Sequence, residues 1–264
     1  MSRNSQLLFA DLFASAKQWR FWLSLGWNDI AKQYRRSFLG PIWIAVNTGI
    51  FVVAFGLIGA QLFKIDVKTY LPYFAIGHIV FGFFSSVMLE ASQTFLQAEG
   101  YLKHAASPKL IHVFRAVTRN FLTLGHNFLI VLGVLAWAGA LGVVQLVPFI
   151  ASVVLCGVAA FLVTGILAAI CARFRDVPMI ISSAMQVLFF LTPVMWRPDQ
   201  LTDRAQWLVH LNPFALFLDL TRAPLLGVSP SVDLYGRALA IIVALVMLFA
   251  AVMAWARRRI VYWL

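Results

Sequence analysis

Charge is scarce in this chain: only 12% of its 264 residues are Asp, Glu, Lys or Arg, against about 25% in an ordinary soluble domain. Cysteine is scarcer still. Cys156 and Cys171 both lie in or beside apolar runs, which supports neither a disulfide framework nor a metal cluster. No glycine is followed by lysine, so the phosphate-cradling G-x-x-x-x-G-K-[ST] loop is absent and the chain does not hydrolyse ATP in that way. His78, His104, His112, His126 and His210 are scattered, with no H-E-x-x-H and no pair at i, i+4, and nothing forms a G-x-S-x-G nucleophile elbow. The common metal and nucleophile chemistries are therefore excluded, and no site on this chain is expected to be catalytic.

What is present is apolar surface. Hydrophobic residues make up 62% of the chain, and the mean hydropathy of +0.86 comes in blocks that need lipid as solvent. A spanning helix takes about 20 mostly apolar residues. Six windows meet that length: Pro41–Gln61, Leu71–Glu90, Phe114–Leu141, Leu146–Ala172, Pro178–Trp196 and Arg237–Ala256. The expected fold is an all-α membrane protein of six transmembrane helices, because lipid forces backbone bonds to close within each segment and the runs are too long for barrel strands. Residues 1–40 form an N-terminal segment, 41–256 the membrane domain and 257–264 a tail.

The net charge of +11 then becomes a topology signal rather than a nucleic-acid footprint. With both termini cytoplasmic, the inner segments hold 15 of the 21 basic residues and the outer ones 6, while the acids divide 5 and 5; nearly the whole excess of Lys and Arg is inside. Arg257, Arg258 and Arg259 close the last span on that side, beside Trp255, Tyr262 and Trp263 at the interface.

The connecting segments are patterned. Residues 5–36 mix Leu7, Phe9, Phe13, Trp19, Trp22 and Trp27 with Lys17, Arg20, Lys32, Arg35 and Arg36, as in a helix lying among headgroups; the competing reading is a solvated arm. Arg35-Arg36-Ser37-Phe38-Leu39 before an apolar run imitates a twin-arginine export signal, but five further spans follow and no small-residue cleavage site stands out. Ala91–Arg115 reads as two short amphipathic helices broken by Gly100 and Pro108. From Arg197 to Gly236, Pro198, Pro213, Pro224 and Pro230 punctuate apolar clusters, which suits short helices dipping back into the outer leaflet.

Ionisable groups inside spans are functional candidates by default. Glu90 is placed to pair with Arg115 or Arg119, a structural ion pair rather than a proton relay, and His78 and His126 read as core histidines. Asp219 and Arg222 stand three apart and share a helical face. The aromatics Phe51, Phe55, Tyr70, Tyr73, Phe74 and Phe81, with Phe63, Phe83 and Phe84, cluster in the outer part of the first two spans and their connection. As a group they suit a passage along which a sugar chain slides by stacking; singly, each also suits a lipid-facing position.

Tyr34-Arg35-Arg36-Ser37-Phe38-Leu39-Gly40-Pro41-Ile42-Trp43 opening the first span, Gly100-Tyr101-Leu102-Lys103 with Ser107-Pro108-Lys109-Leu110, and Leu191-Thr192-Pro193-Val194 with Leu211-Asn212-Pro213-Phe214 together resemble the ABC-2 type permeases that export polysaccharide, the O-antigen, capsule and teichoic-acid exporters. Ala105-Ala106-Ser107 departs from that pattern, where an aromatic is more typical. The resemblance implies a homodimer in the bacterial inner membrane, moving a lipid-linked glycan with two copies of a separate cytoplasmic ABC ATPase. ATP and Mg would then be cofactors of that partner, with none on this chain, and the resemblance extends the path to periplasmic export components. It implies a gate helix at Ala91–Ala98 and an ATPase-coupling loop from Glu99 to Lys109, carried by Glu99, Gly100, Tyr101, Leu102, Lys103 and Pro108. It also implies an anionic headgroup site at Arg20, Lys32, Arg35 and Arg36, and an outer gate at Pro193, Asn212, Pro213 and Phe214. Two other readings stay open: an ABC-2 permease for a small drug, lipid or ion, and a membrane-embedded enzyme acting on lipid-linked sugars.

Overall fold

Backbone amides in lipid have no water to bond, so an apolar run satisfies them by coiling on itself. A computed structural model of the chain describes residues 3–35, 37–104, 108–202, 206–257 and 259–264, and among these every regular element is helical. Helices α1 (Arg3–Lys17) and α2 (Trp19–Gln33) precede the long apolar α3 (Ile42–Leu62) and α4 (Val67–Ala91). The short α5 (Thr94–Gln97) and α6 (Glu99–His104) lead to α7 (Leu110–Ala138) and α8 (Leu146–Arg173). Then come α9 (Val177–Leu191), α10 (Trp207–His210), α11 (Pro213–Leu225), α12 (Val232–Ala256) and α13 (Ile260–Trp263).

Among the described residues five helices, α3, α4, α7, α8 and α12, have the length and apolarity to cross a membrane. The expected sixth is shorter than its apolar window. With 15 residues, α9 is about 22 Å long, against about 30 Å of hydrocarbon. Pro193 is the reason: the residue before a proline is driven to extended backbone, and Thr192 sits at ψ 138°. The stretch Thr192–Trp196, expected inside the span, is irregular chain instead.

Caps account for the other shifted boundaries. Asp66 accepts from the Lys68 amide at 3.0 Å, so α4 begins at Val67 rather than Leu71. Ser231 accepts from Leu234 N at 3.2 Å and starts α12 at Val232 rather than Arg237. Helix α7 takes up Leu110 and Ile111, expected in the preceding short helices, and stops at Gly139, whose φ of 74° is the left-handed geometry of a C-terminal cap. The interfacial segment is two helices rather than one, broken at Gln18; Phe9, Phe13, Trp19 and Trp27 are each at least half exposed along it.

The most buried of the long helices is α4, packed by α3, α7 and α8, while α12 lies along α8. Helix α11 is wedged between α8, α4 and α12 and buries Leu216, Phe217, Leu218, Leu220 and Leu225. At the α8–α12 contact Gly165 lies under the Phe249 ring, where a Cβ would come within 2.3 Å; a small residue there lets the helices close. Helices α1, α2, α5, α6 and α13 gather at one end of the bundle, the end carrying both termini; Tyr70, Tyr73, Thr192–Trp196 and the start of α11 meet at the other.

Candidate functional site

At the terminal end, the turn out of α4 is fixed by its own side chains: Ser92 Oγ donates to Leu89 O at 2.6 Å and Thr94 Oγ1 to Glu90 O at 3.0 Å. Phe95, Ala98 and Leu102 recur at helical spacing and are buried at 1%, 1% and 7% exposure. The opposite side of the same stretch faces out. Gly100 stands in open space, Tyr101 is 54% exposed beside His112, and Glu99 pairs with Lys103 at 2.6 Å. That pairing holds the Glu99 carboxyl below its usual range. Pro108 is partly buried at the exit to α7, and residues 105–107 lie outside the described residues. The expected coupling loop is thus anchored by one apolar edge and presents the other.

The N-terminal helices brace α7, into which this loop leads. Gly26 of α2 comes close to Thr118 of α7, where a Cβ would meet Thr118 Cγ2 at 3.1 Å, and Trp22 stacks on Phe114 at 5.1 Å. Asp29 accepts from Arg115 through both oxygens, at 2.6 and 2.7 Å, the bidentate geometry that suits guanidinium best. One turn deeper Glu90 pairs with Arg119 at 2.7 Å and accepts from Asn120 Nδ2 at 2.7 Å. Of the two partners expected for Glu90, Arg119 is the one used, and Arg115 serves Asp29.

Helix α1 is tied down by Asp11, which accepts from the Lys109 amide at 3.0 Å and lies 4.0 Å from Arg257, while Lys109 Nζ donates to the Arg257 carbonyl. Burial pushes the Asp11 carboxyl above its usual range, opposed by Arg257 and Lys109. The folded chain therefore binds this proton more readily than the unfolded chain, so the contribution is fullest at acidic pH and is lost as pH rises through the raised value. Asp11→Asn keeps an acceptor for Lys109 N–H. It should unfold at the same or a higher temperature than wild type at pH 7.5, with the difference closing near pH 4, measured by thermal unfolding of the purified protein across pH.

The cations assigned to an anionic headgroup do not all meet. Lys32 and Arg35 are exposed where α2 ends before α3. Arg20 is exposed at the start of α2, over Trp19 at 5.3 Å, and twelve residues of helix put it about 18 Å from Lys32. Arg36 lies outside the described residues.

The aromatics divide in the same way. Tyr70 and Phe74 are fully buried and Phe81 is 4% exposed, against Phe189 and Phe214. These three pack into the interior of the described chain. Phe55 is 40% exposed and stacks on the half-buried Phe51 at 4.3 Å.

Tyr73 belongs to the far end, where it lies under the Arg222 guanidinium at 3.7 Å. Arg222, 3% exposed, donates to Pro193 O at 2.8 Å, and Tyr73 Oη to Trp196 O at 3.0 Å. Tyr70 Oη donates to Met195 O at 2.8 Å. Asn212 caps α11 through Phe214 N at 2.9 Å and donates from Nδ2 to Thr192 Oγ1 at 2.9 Å. Pro213 occupies the first turn, and Phe214 sits 6.1 Å from Phe81 and Phe84. Pro193, Asn212, Pro213 and Phe214 therefore do come together. Arg222 turns inward to Tyr73 rather than pairing with Asp219, which is itself exposed.

One feature escaped the reading of the sequence. On α7, Arg119, Thr123 and Asn127 recur every four residues and line a polar cleft between α2, α3, α4 and α7. The i, i+4, i+8 spacing within an apolar run was the available signal.

Apolar helices of spanning length, a braced loop at the terminal end and a tied irregular segment at the other define a polytopic helical membrane protein. The chain belongs to the ABC-2 type transporter family, a family of transport permeases, whose profile matches residues 20–226. It is 22% identical over 191 residues to the O-antigen export system permease protein RfbA of Klebsiella pneumoniae, covering 71% of this chain and 73% of the relative. It is 24% identical over 195 residues to the protein of the same description from Myxococcus xanthus, covering 72% and 74%. The chain resembles polysaccharide-export permeases of this family.

Proposed function

We propose that the chain is the membrane half of an ATP-driven exporter that moves a lipid-linked polysaccharide of the O-antigen type across the bacterial inner membrane. The family match over residues 20–226, with relatives described as O-antigen export permeases, carries the reading. Two copies enclose the passage, and a separate cytoplasmic ABC ATPase dimer binds and hydrolyses ATP with Mg. Both termini are cytoplasmic, in keeping with the excess of Lys and Arg on that side.

In this reading α5 and α6 receive the ATPase. Tyr101, Glu99 and Lys103 make the contact, and a push on them passes through Phe95, Ala98 and Leu102 into the spans. Lys32 and Arg35, with Arg36, meet the phosphate of the lipid anchor, since guanidinium and ammonium both suit it. Helix α11 is the re-entrant element, and Thr192–Trp196 with Asn212 form the outer gate.

Deleting the gene should leave glycan accumulated inside the cell, and the wild-type copy should restore export. Tyr101→Ala should remain in the membrane and fail to restore it, with at least a tenfold loss of surface glycan. Normal surface glycan in the deletion strain, or full rescue by Tyr101→Ala, would defeat the export reading or the coupling role respectively.

A further inference from the structure

The cleft beside α7 has a volume of about 400 Å³, within the range of roughly 300–1,000 Å³ typical of small-ligand sites. Four helices line it: Arg119, Thr123 and Asn127 from α7, Ser86 and Glu90 from α4, Trp43, Asn47 and Thr48 from α3, and Ile30 and Gln33 from α2. From Arg119 to Asn127 the stripe runs about 12 Å along α7, away from the terminal end. Amides and hydroxyls at that depth are costly in a spanning bundle and mark a polar path or ligand. Asn127 Oδ1 is buried with no hydrogen-bond partner, an acceptor left for a donor from outside the chain.

The charges in the cleft are already matched. Arg119, the cation among its described lining residues, is bonded to Glu90, and Glu90 also accepts from Asn120. A phosphate finds no free cation there and an ammonium no free carboxylate, so the ligand the lining fits is uncharged and rich in hydroxyls. Trp43, 44% exposed and one turn before Asn47, adds a flat apolar face of the kind that stacks on the C–H side of a sugar ring.

We infer that this cleft binds an uncharged pyranose residue, the sugar nearest the lipid anchor, within a single subunit at its cytoplasmic side. The identity of that sugar's carrier rests on the export reading above; the binding chemistry rests on the cleft.

The test uses the full chain in phosphatidylcholine nanodiscs with two photo-probes, an alkyl β-glucoside carrying a diazirine at the start of its chain and the same diazirine chain on phosphocholine. Cross-linked peptides are read by mass spectrometry. The glucoside should label the segments around residues 43–48, 86–90 and 123–127 at least tenfold more than the phosphocholine probe. Asn127→Leu and Thr123→Val should each reduce that labelling at least fivefold. Thr123→Val preserves shape if Asn127→Leu disturbs folding, and thermal unfolding of both reports which variant is intact.

Equal labelling by the two probes, or undiminished glucoside labelling in an intact variant, overturns the inference. Selective labelling combined with normal export in the deletion strain would leave the sugar site standing and remove the export reading. Glycan accumulation on deletion combined with unselective labelling would do the reverse.

Discussion

Gly77→Ala should destabilise the protein by about 2–4 kcal/mol, whereas Gly82→Ala five residues along the same helix should be neutral or stabilising by up to about 1 kcal/mol. A Cβ on Gly77 would stand 2.1 Å from Arg222 Nη2 and 3.0 Å from the Val194 carbonyl, while Gly82 has nothing within 4 Å. A long side chain ordinarily swings away from such a clash. Arg222 has nowhere to go, because it is 3% exposed, stacked on Tyr73 at 3.7 Å and bonded to Pro193 O. Moving it forfeits a desolvated cation–π contact of about 2 kcal/mol and a charged hydrogen bond of about 1.5–3 kcal/mol, partly recovered in the relaxed site. Thermal unfolding of the two variants in the same detergent gives the comparison. Similar melting temperatures for both would mean that the Tyr73–Arg222–Pro193 contact does not hold the far end together.

Arg119→Met should cost about 3 kcal/mol, and the double change Glu90→Gln, Arg119→Met should recover most of it. The Glu90 side chain is 12% exposed and Arg119 30%, and removing one partner of a buried pair strands the other in a poor solvent, at about 3–5 kcal/mol. The partial exposure of Arg119 places the expectation at the low end. Replacing both partners removes the stranded charge. Unfolding of the two single variants and the double variant makes a double-mutant cycle; a double variant no more stable than Arg119→Met would show that the pair contributes more than mutual neutralisation.

Helix α9 and the buried arginine show what could be read from letters and what could not. The five spanning helices were legible because lipid imposes one demand on every residue in a run, and that demand survives any tertiary arrangement. The pair of short helices α5 and α6 was legible too, from Leu96 and Leu102 set among polar residues, although Gly100, read as a break, lies inside α6. Hydropathy alone extended α9 through Pro193, although the proline itself announced the stop. Arg222 was read as sharing a helical face with Asp219 because they are three apart; only packing against α4 reveals that its neighbour is Tyr73, far away in sequence. The burial of Tyr70 and Phe74 was not legible for the same reason, as one face of an apolar helix differs from another only by what covers it. The polar cleft needed four helices at once, although its α7 stripe was visible.

The shortness of α9 also acts on the bilayer. About 22 Å of helix leaves roughly 8 Å of hydrocarbon unspanned on its side of the molecule, a mismatch worth on the order of a few kcal/mol if lipid alone had to deform. Thr192–Trp196 fills part of that gap with irregular backbone whose Pro193, Met195 and Trp196 carbonyls are already bonded by Arg222, Tyr70 and Tyr73. Those three carbonyls are satisfied within the chain where the helix stops short, so the segment continues α9 through an apolar setting without leaving them as bare acceptors.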